Sequence, residues 1–128
     1  MSAAERSKAF LSRFDSGQSR FLAMRDGSGI VGAAVFGRSV TEGCPGAGEM
    51  SAIYLRKDCI GIGYGHRLFA YAERELAGMG YTDFVLGVFT ANKRAIDFYR
   101  AHGCTAVDER TVNLGGVDYP YIVLRKRI

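Results

Sequence analysis

A glycine-rich turn is the part of the sequence best suited to chemistry. The segment Ile60–His66 reads IGIGYGH and lies between a predicted strand and a predicted helix. Alternating glycines let the backbone approach a ligand closely and direct successive N–H groups at it, and the positive end of the helix dipole adds to that field. The segment is therefore suited to an anion such as a pyrophosphate.

Three phosphate-binding motifs compete for this turn. A P-loop is excluded because no Gly-Lys-Ser/Thr follows the glycines. The dinucleotide fingerprint needs a glycine where His66 stands, and the acid about 20 residues further on, Asp83, would precede its strand instead of ending it. A plain glycine loop after a strand remains, and a nucleotide-binding module that uses this loop stays open as an alternative.

Two further polar residues lie about thirty residues downstream, on the next predicted helix. Asn92 has the position of a helix N-cap, which is a structural role. Tyr99 falls on the same helical face as Ala95 and Ile96, where a tyrosine is often part of the core with its hydroxyl satisfied. Residue type alone assigns neither of them to chemistry.

Together these segments resemble the GCN5-related N-acetyltransferase (GNAT) superfamily. Residues 53–68 (IYLRKDCIGIGYGHRL) are similar to its acetyl-CoA segment, whose core is Gln/Arg-x-x-Gly-x-Gly/Ala. Residues 88–104 (VFTANKRAIDFYRAHGC) are similar to its second signature, N-x-x-A-x-x-x-Y-x-x-x-G-F. Two signatures in this order and spacing are more specific than either alone, and a weaker likeness extends over residues 20–128.

The resemblance implies a role for each matching position. Asn92 would hydrogen-bond acetyl-CoA, the acyl donor, near its thiol end, and Tyr99 would protonate the departing thiolate as general acid. Leu55, at the end of the preceding strand, would pair its backbone with the pantetheine arm and polarise the thioester carbonyl. The pyrophosphate would be held by backbone N–H groups of Ile60, Gly61, Ile62, Gly63, Tyr64 and Gly65.

Glu49 lies on the same predicted strand as Leu55, sixteen residues before Gly65. In the histone-acetylating branch of the superfamily, a glutamate at this offset is the general base, directly or through water. Glu49 would then remove a proton from the acceptor, because an amine with a pKa of about 10.4 is mostly ammonium at neutral pH. The structural alternative for Glu49 is a solvated charge at a strand edge.

Two departures from the family pattern bear on the cofactor and the acceptor. Ile60 replaces the Gln/Arg at the head of the loop, so we expect the backbone cradle to bind acetyl-CoA more weakly. Family members generally begin with a strand and a helix that precede residues 3–15 here. The acceptor site is therefore expected to be open, or to be completed by a partner subunit or by further chain.

The elements that must position these residues follow from hydrophobic periodicity and from glycine punctuation. Apolar residues at helical spacing predict helices over residues 3–15, 63–79 and 93–102. Apolar runs predict strands over 21–24 and 30–36, joined by an Asp-Gly turn, over 49–55 and 84–89, and in a closing hairpin of 105–114 and 117–124. The predicted order is α-β-β-β-α-β-α-β-β.

The fold class that this order predicts is α/β, with one mixed, mostly antiparallel, twisted sheet and flanking helices. The resemblance implies that residues 1–128 form a single GNAT-like acetyltransferase domain. It also implies a sheet that splays between Glu49–Leu55 and Phe84–Phe89, which opens the cofactor cleft at that point.

Composition sets the outer limits on function. The chain has 128 residues, of which 48% are apolar and 23% charged, as is typical of one globular domain. Its 17 Lys and Arg against 13 Asp and Glu give a net charge of +4, without the basic stripe of a nucleic-acid-binding protein. No apolar run reaches the ~20 residues of a membrane helix, and the charged N-terminus is unlike a signal peptide. We therefore expect a cytoplasmic protein with neither a nucleic-acid nor a membrane partner.

Cysteine and histidine predict no metal or thiol site. Cys44, Cys59 and Cys104 are odd in number and form no C-x-x-C pair, and His66 and His102 are isolated in the sequence. We expect no metal, and no cysteine has the arrangement of a nucleophile with a nearby base.

The resemblance implies an acetyl-CoA-dependent N-acetyltransferase that moves an acetyl group to an amine by direct attack through a ternary complex. An alternative with the same fold is a non-catalytic CoA-binding regulatory or scaffold domain. The amine acceptor does not follow from the sequence. The resemblance is also compatible with a homodimer.

Overall fold

The computed structural model describes residues 10–16 and 19–128, with side chains from residue 19 onward, and this part of the chain forms seven strands and two helices. The strands are β1 (Phe10–Ser16), β2 (Ser19–Asp26), β3 (Gly29–Arg38), β4 (Gly48–Leu55), β5 (Asp83–Phe89), β6 (Thr105–Leu114) and β7 (Val117–Arg127). The helices are α1 (Tyr64–Gly78) and α2 (Lys93–Ala101), and a short 3-10 helix, Lys57–Cys59, precedes α1.

The seven strands form one sheet in the order β1-β2-β3-β4-β5-β7-β6. All neighbouring strands are antiparallel except β4 and β5, which are parallel. A parallel pair needs a crossover connection, and α1 supplies it. The predicted fold class, a mixed and mostly antiparallel sheet with flanking helices, is confirmed.

The helix predicted over residues 3–15 is wrong where the structure describes this segment. Phe10–Ser16 is strand β1, paired antiparallel with β2 from Phe10↔Arg25 to Ser16↔Ser19. Residues 1–9 lie outside the described residues. The other predicted helices and strands are confirmed, each with ends within three residues of those observed.

Both helices pack against one buried cluster on the sheet. The amphipathic spacing of α1 buries its apolar side chains there, and Phe69 stacks edge-on with Phe84 of β5 at a centroid distance of 5.9 Å. Phe69 also meets Phe98 of α2 edge-on at 6.0 Å, which holds the two helices together. The buried side chains of α1 are Tyr64, Leu68, Phe69, Ala72 and Leu76. Neither helix is long and apolar enough to span a lipid bilayer, and this finding covers the described residues only.

The sheet opens at its centre. The parallel pairing of β4 with β5 is limited to Gly48↔Phe84 and Glu49↔Val85. Beyond that point β5 continues in register with β7 as far as Phe89↔Tyr121, while β4 continues beside β3 as far as Leu55↔Gly32. The predicted splay between these two strands is confirmed.

Candidate active site

The gap between β4 and β5 is a cleft with a volume of about 440 Å³. Its walls come from β4, from β5, from the first turns of α2 and from the β6–β7 hairpin. Two of the predicted site residues, Asn92 and Tyr99, line it. Its lining residues are Met50, Ser51, Ala52, Ile53, Gly87, Val88, Phe89, Asn92, Ala95, Tyr99, Val112 and Tyr121.

A one-residue bulge in β4 accompanies the opening of the sheet. Val35 of β3 pairs with Ala52 and Phe36 pairs with Met50, so Ser51 is the extra residue. Bulges bend a strand and increase its local twist, which turns β4 away from β5. Among the described residues no strand pairs with this side of β4 beyond Glu49. Backbone groups of β4 are therefore open to an extended ligand that enters the cleft.

Leu55 ends β4 next to the glycine turn. The next residue, Arg56, donates its N–H to the Val31 carbonyl at 2.7 Å, which fixes the exit of the strand. The Leu55 side chain lies under the start of α1, where a Cβ on Gly65 would be 3.8 Å from it. The backbone of Leu55 is thus held between the cleft and the turn.

The turn itself has the geometry of an anion cradle. Gly61 and Gly63 have φ of 90° and 89°, the left-handed region that favours glycine, and Gly63 is the N-cap of α1. No side chain caps this helix and no acidic residue lies in its first turn. The start of α1 therefore has no capping side chain and no nearby carboxylate in its first turn, and it carries the positive end of the helix dipole.

The space around the cradle differs from one residue to the next. A Cβ built on Gly61 or Gly63 meets nothing within 4 Å, so there is room for a ligand above both. At Gly65 a Cβ would lie 3.4 Å from the Phe98 ring, which indicates a packing role between α1 and α2. The Ile60 N–H faces the Lys57 carbonyl at 3.4 Å and is partly engaged there. Tyr64 is 2% exposed, so it offers a ligand its backbone and not its ring.

Tyr99 is half-buried on α2 with its side chain at the cleft. Its ring packs against Phe98 at a centroid distance of 5.5 Å and against Phe69 at 6.2 Å. Burial raises the pKa of its hydroxyl, and the nearby Cys104 raises it further. A raised pKa keeps the phenol protonated at neutral pH, which is the state that a general acid requires.

Asn92 caps α2. Its side-chain oxygen accepts a hydrogen bond from the Ala95 N–H at 3.2 Å, so the structural role predicted for it is confirmed. The cap uses only the carbonyl oxygen of the amide. The side-chain NH₂ group of Asn92, at the wall of the cleft, is the part that can serve a ligand.

Glu49 is buried, at 9% exposure, and is the last residue of β4 that pairs with β5 before the sheet opens. Its Oε1 accepts hydrogen bonds from the Ser39 hydroxyl at 3.1 Å and from the Thr41 hydroxyl. Glu49 is not among the residues that line the cleft. The structure therefore brings Tyr99, Asn92 and the β4 backbone together, and holds Glu49 one residue outside them.

Sequence reasoning missed the hydroxyl partners of Glu49, which come from Ser39 and Thr41. Thr41 lines a second depression together with Arg110 and Tyr121. Tyr121 also lines the main cleft, so the two spaces adjoin at this residue. A run of small and polar residues between β3 and β4 gives no sequence signal for this contact. Among the described residues no group of three or more His, Cys, Asp and Glu side chains could hold a metal ion.

Known acetyltransferase sequences resemble this chain. Residues 2–104 match the Acetyltransferase (GNAT) family. The chain is 32% identical over 84 residues to the uncharacterized N-acetyltransferase in the pepI 3′ region of Lactobacillus delbrueckii subsp. lactis. That match covers 66% of this chain and 49% of the relative, so the chain spans about half the length of the curated relative it matches.

Solved structures share the fold at low sequence identity. The IAA acetyltransferase from Bacillus cereus ATCC 14579 superposes with a TM-score of 0.78 and 14% identity, covering 94% of this chain and 100% of its own. A GNAT family acetyltransferase from Elizabethkingia anophelis, solved with acetyl-CoA bound, has a TM-score of 0.77 and 13% identity over 94% and 98% of the two chains. The putative streptothricin acetyltransferase from Bacillus anthracis str. Ames, in complex with acetyl coenzyme A, has a TM-score of 0.77 and 17% identity over 90% and 65%.

We predict that alkylation separates the three cysteines. Burial raises the pKa of the Cys104 thiol to about 11, so only about one thiol in a thousand is ionised at pH 8. Cys59 is fully buried and Cys44 is half-buried. With iodoacetamide at pH 8, peptide mass spectrometry should find Cys44 labelled first and Cys104 and Cys59 protected. Unfolding in urea is the control and should label all three. Labelling of native Cys104 as fast as Cys44 would contradict the assignment of Cys104 as an inert core thiol.

Proposed function

The chain belongs to the Acetyltransferase (GNAT) family, and from that premise we propose that it transfers the acetyl group of acetyl-CoA to an amine by direct attack in a ternary complex. One observation carries the proposal. A cleft with an unpaired β4 edge on one wall and Tyr99 on another leads toward a glycine cradle at the start of α1. This is the shape that a long thioester with a pyrophosphate needs.

The donor binds with its pyrophosphate at the cradle and its acetyl group in the cleft. Backbone N–H groups of Gly61–Gly65 and the dipole of α1 stabilise the phosphate charge, while the Ile60 N–H contributes less because it faces Lys57. The backbone of Leu55 pairs with the pantetheine arm, and the Asn92 NH₂ binds near the thiol. Two structures of the same fold contain acetyl-CoA, which supports this choice of ligand.

Tyr99 is the general acid of the proposed reaction. The acceptor nitrogen forms a bond to the thioester carbonyl carbon, the carbon–sulfur bond breaks, and the sulfur leaves as a thiolate. The Tyr99 hydroxyl donates its proton to that thiolate. Burial of the ring and the resulting rise in its pKa support this role, because the hydroxyl holds its proton until the thiolate appears.

Glu49 is the general base, and it acts through a relay. The acceptor arrives as an ammonium ion and must lose a proton before its nitrogen can attack. Because Glu49 lies just outside the cleft lining, the proton travels by way of water or the Thr41 hydroxyl, which already donates a hydrogen bond to the carboxylate. The net products are the acetylated amine, CoA with its thiol protonated, and one proton released to solvent.

The same displacement of Glu49 from the cleft favours one alternative. A protein that keeps the cradle but lacks an acceptor site next to a base is a CoA-binding regulatory or scaffold domain. The two functions share every prediction about the donor and differ in turnover. The donor test therefore comes first, and the tests of Tyr99 and Glu49 separate the two functions.

We predict that acetyl-CoA and CoA raise the melting temperature and that ATP does not. A ligand that binds only the folded state at one hundred times its Kd adds about 2.7 kcal/mol, which corresponds to several degrees for a domain of this size. Differential scanning fluorimetry with the three ligands side by side measures the shift. An equal shift with ATP would favour a nucleotide-binding module, and no shift with either CoA species would contradict the donor assignment.

We predict that Tyr99→Phe lowers kcat by about tenfold or more while the Kd for acetyl-CoA stays within twofold, because only the proton donor is lost. Release of free thiol during turnover gives kcat, and fluorimetric titration gives the Kd. Tyr71→Phe, at an exposed tyrosine on α1, is the matched control. Equal turnover of Tyr99→Phe and the wild type would exclude Tyr99 as the acid.

We predict that Glu49→Gln lowers kcat/KM at pH 7 by about tenfold or more, and that this deficit shrinks as the pH rises toward the pKa of the amine. The pH dependence follows because a growing fraction of the acceptor is then already neutral. Rate profiles between pH 7 and pH 10 measure it, with Glu109→Gln, an exposed glutamate of β6 outside the cleft, as control. A deficit that is constant with pH indicates a structural carboxylate and would overturn the assignment as base.

A further inference from the structure

A buried hydrogen bond connects the cofactor cradle to a distant turn of the sheet. The Tyr64 hydroxyl, on the first residue of α1, donates to Oδ2 of Asp26 at 2.8 Å across 38 residues of sequence. Both side chains are buried, at 2% and 6% exposure. Asp26 ends β2, so the bond ties the β2–β3 turn to the residue that follows Gly63.

The Asp26 carboxylate is also linked to the other end of the glycine turn, through Ser28 and Arg56. Oδ1 of Asp26 accepts hydrogen bonds from the N–H of Ser28, at 2.7 Å, and from its hydroxyl. Arg56 in turn donates to the Ser28 hydroxyl at 2.8 Å and to Asp58 at 2.6 Å. The glycine turn 60–63 is thus held by Arg56 and Asp58 on one side and by Tyr64 on the other. We call the set Tyr64, Asp26, Ser28 and Arg56 the cradle clamp.

The cradle has little of its own to keep it ordered. Gly61 and Gly63 have no side chains, and nothing surrounds the positions where their Cβ atoms would lie. The Ile60 side chain is 39% exposed and has no polar group that could hydrogen-bond to the turn. The Ile60 N–H lies 3.4 Å from the Lys57 carbonyl, which is a long hydrogen bond. Glycines lose more backbone freedom on ordering than any other residue, so this turn needs support from outside.

We propose that Asp26 is a positioning residue for the cofactor: through Tyr64 and Ser28 it holds the glycine turn in its binding conformation before acetyl-CoA arrives. The inference rests on the proposed binding of acetyl-CoA at this turn. A buried carboxylate is costly unless its oxygens are satisfied, and a satisfied polar network makes its surroundings rigid. The clamp uses that rigidity at the one segment whose conformation sets the direction of the phosphate-binding N–H groups.

The thermodynamic consequence is a change in affinity and not in chemistry. When only a fraction of the molecules has a competent cradle, the apparent Kd rises by the inverse of that fraction. Removing one clamp bond should therefore raise the Kd and KM for acetyl-CoA by about tenfold, because a buried hydrogen bond to a charged group is worth a factor of about ten or more. In Asp26→Asn the value of kcat at saturating acetyl-CoA should stay within twofold, since Asp26 lies in neither the cleft lining nor the glycine turn.

Tyr64→Phe is the primary test because it keeps the ring and removes only the donor, and Asp26→Asn is the second variant. The matched controls are Tyr81→Phe, at a half-buried tyrosine, and Asp83→Asn. Asp83 is the first residue of β5, where it forms an ion pair with Arg125 away from the cradle. Two measurements are made on all four. One is the Kd for acetyl-CoA by titration, and the other is amide hydrogen exchange of the ligand-free protein in peptides that cover residues 56–68.

The proposal expects faster exchange over residues 56–68 and a raised Kd in both clamp variants, with neither change in the controls. Unchanged exchange in folded Tyr64→Phe overturns it, even if the Kd changes. Faster exchange with an unchanged Kd overturns it as well, because the turn would then be ordered by the ligand itself. If the wild type binds no acetyl-CoA, the proposed function fails, and the exchange data alone decide whether the clamp orders the turn.

Discussion

The break in the pairing of β4 with β5 is the constraint on which the rest of the site depends. Two strands that pair at Gly48↔Phe84 and Glu49↔Val85 and then separate leave a wedge in the middle of a continuous sheet. The wedge does not collapse, because each strand keeps a full ladder on its other side, β4 with β3 and β5 with β7. These ladders satisfy the backbone groups on the far side of each strand, while the β4 groups that face the wedge are open to a ligand. A permanent opening in the sheet is thereby compatible with a stable core.

Both helices begin beside the wedge. α1 is the crossover between the separating strands, so its N-terminus lies beside the end of β4 and follows the glycine turn directly. α2 follows β5, and its cap residue Asn92 and its side chain Tyr99 reach the cleft from the opposite strand. The Phe69–Phe98 contact holds the two helices at a fixed separation. A ligand that spans both helix beginnings thus meets a preformed surface.

Local patterns in the sequence were enough for most of this architecture. The glycine run, the amphipathic helices and the Gly115-Gly116 hairpin are each specified within a few residues, and the order of the elements follows. Residues 10–16 were not specified in this local way, because Phe10, Leu11 and Phe14 fit a helical stripe as well as a strand. What decides for β1 is its seven-residue ladder with β2, a tertiary interaction that no local window contains.

The sequence was informative about the site in the same uneven way. Asn92 and Tyr99, both of which belong to the second signature, line the cleft because one short strand–turn–helix unit carries them. Glu49 could not be separated from a solvated charge, because its partners Ser39 and Thr41 belong to an irregular connection whose path depends on the whole sheet. Asp26 gave no signal at all, since a turn aspartate is ordinary and its partner Tyr64 is 38 residues away.

Among the residues whose side chains the structure describes, Asp26 and Glu49 are the two buried charged ones. Hydroxyl groups hold both carboxylates: those of Tyr64 and Ser28 for Asp26, and those of Ser39 and Thr41 for Glu49. Replacing a buried ionic group by well-packed apolar residues is often neutral or stabilising, so stability alone is a weak reason for either carboxylate. Asp26 is hydrogen-bonded to Tyr64 next to the glycine cradle, and Glu49 is the last residue of β4 that pairs with β5. The two buried charges thus lie at the two ends of the path that a CoA thioester would take, where the proposed reaction needs a fixed backbone and a proton acceptor.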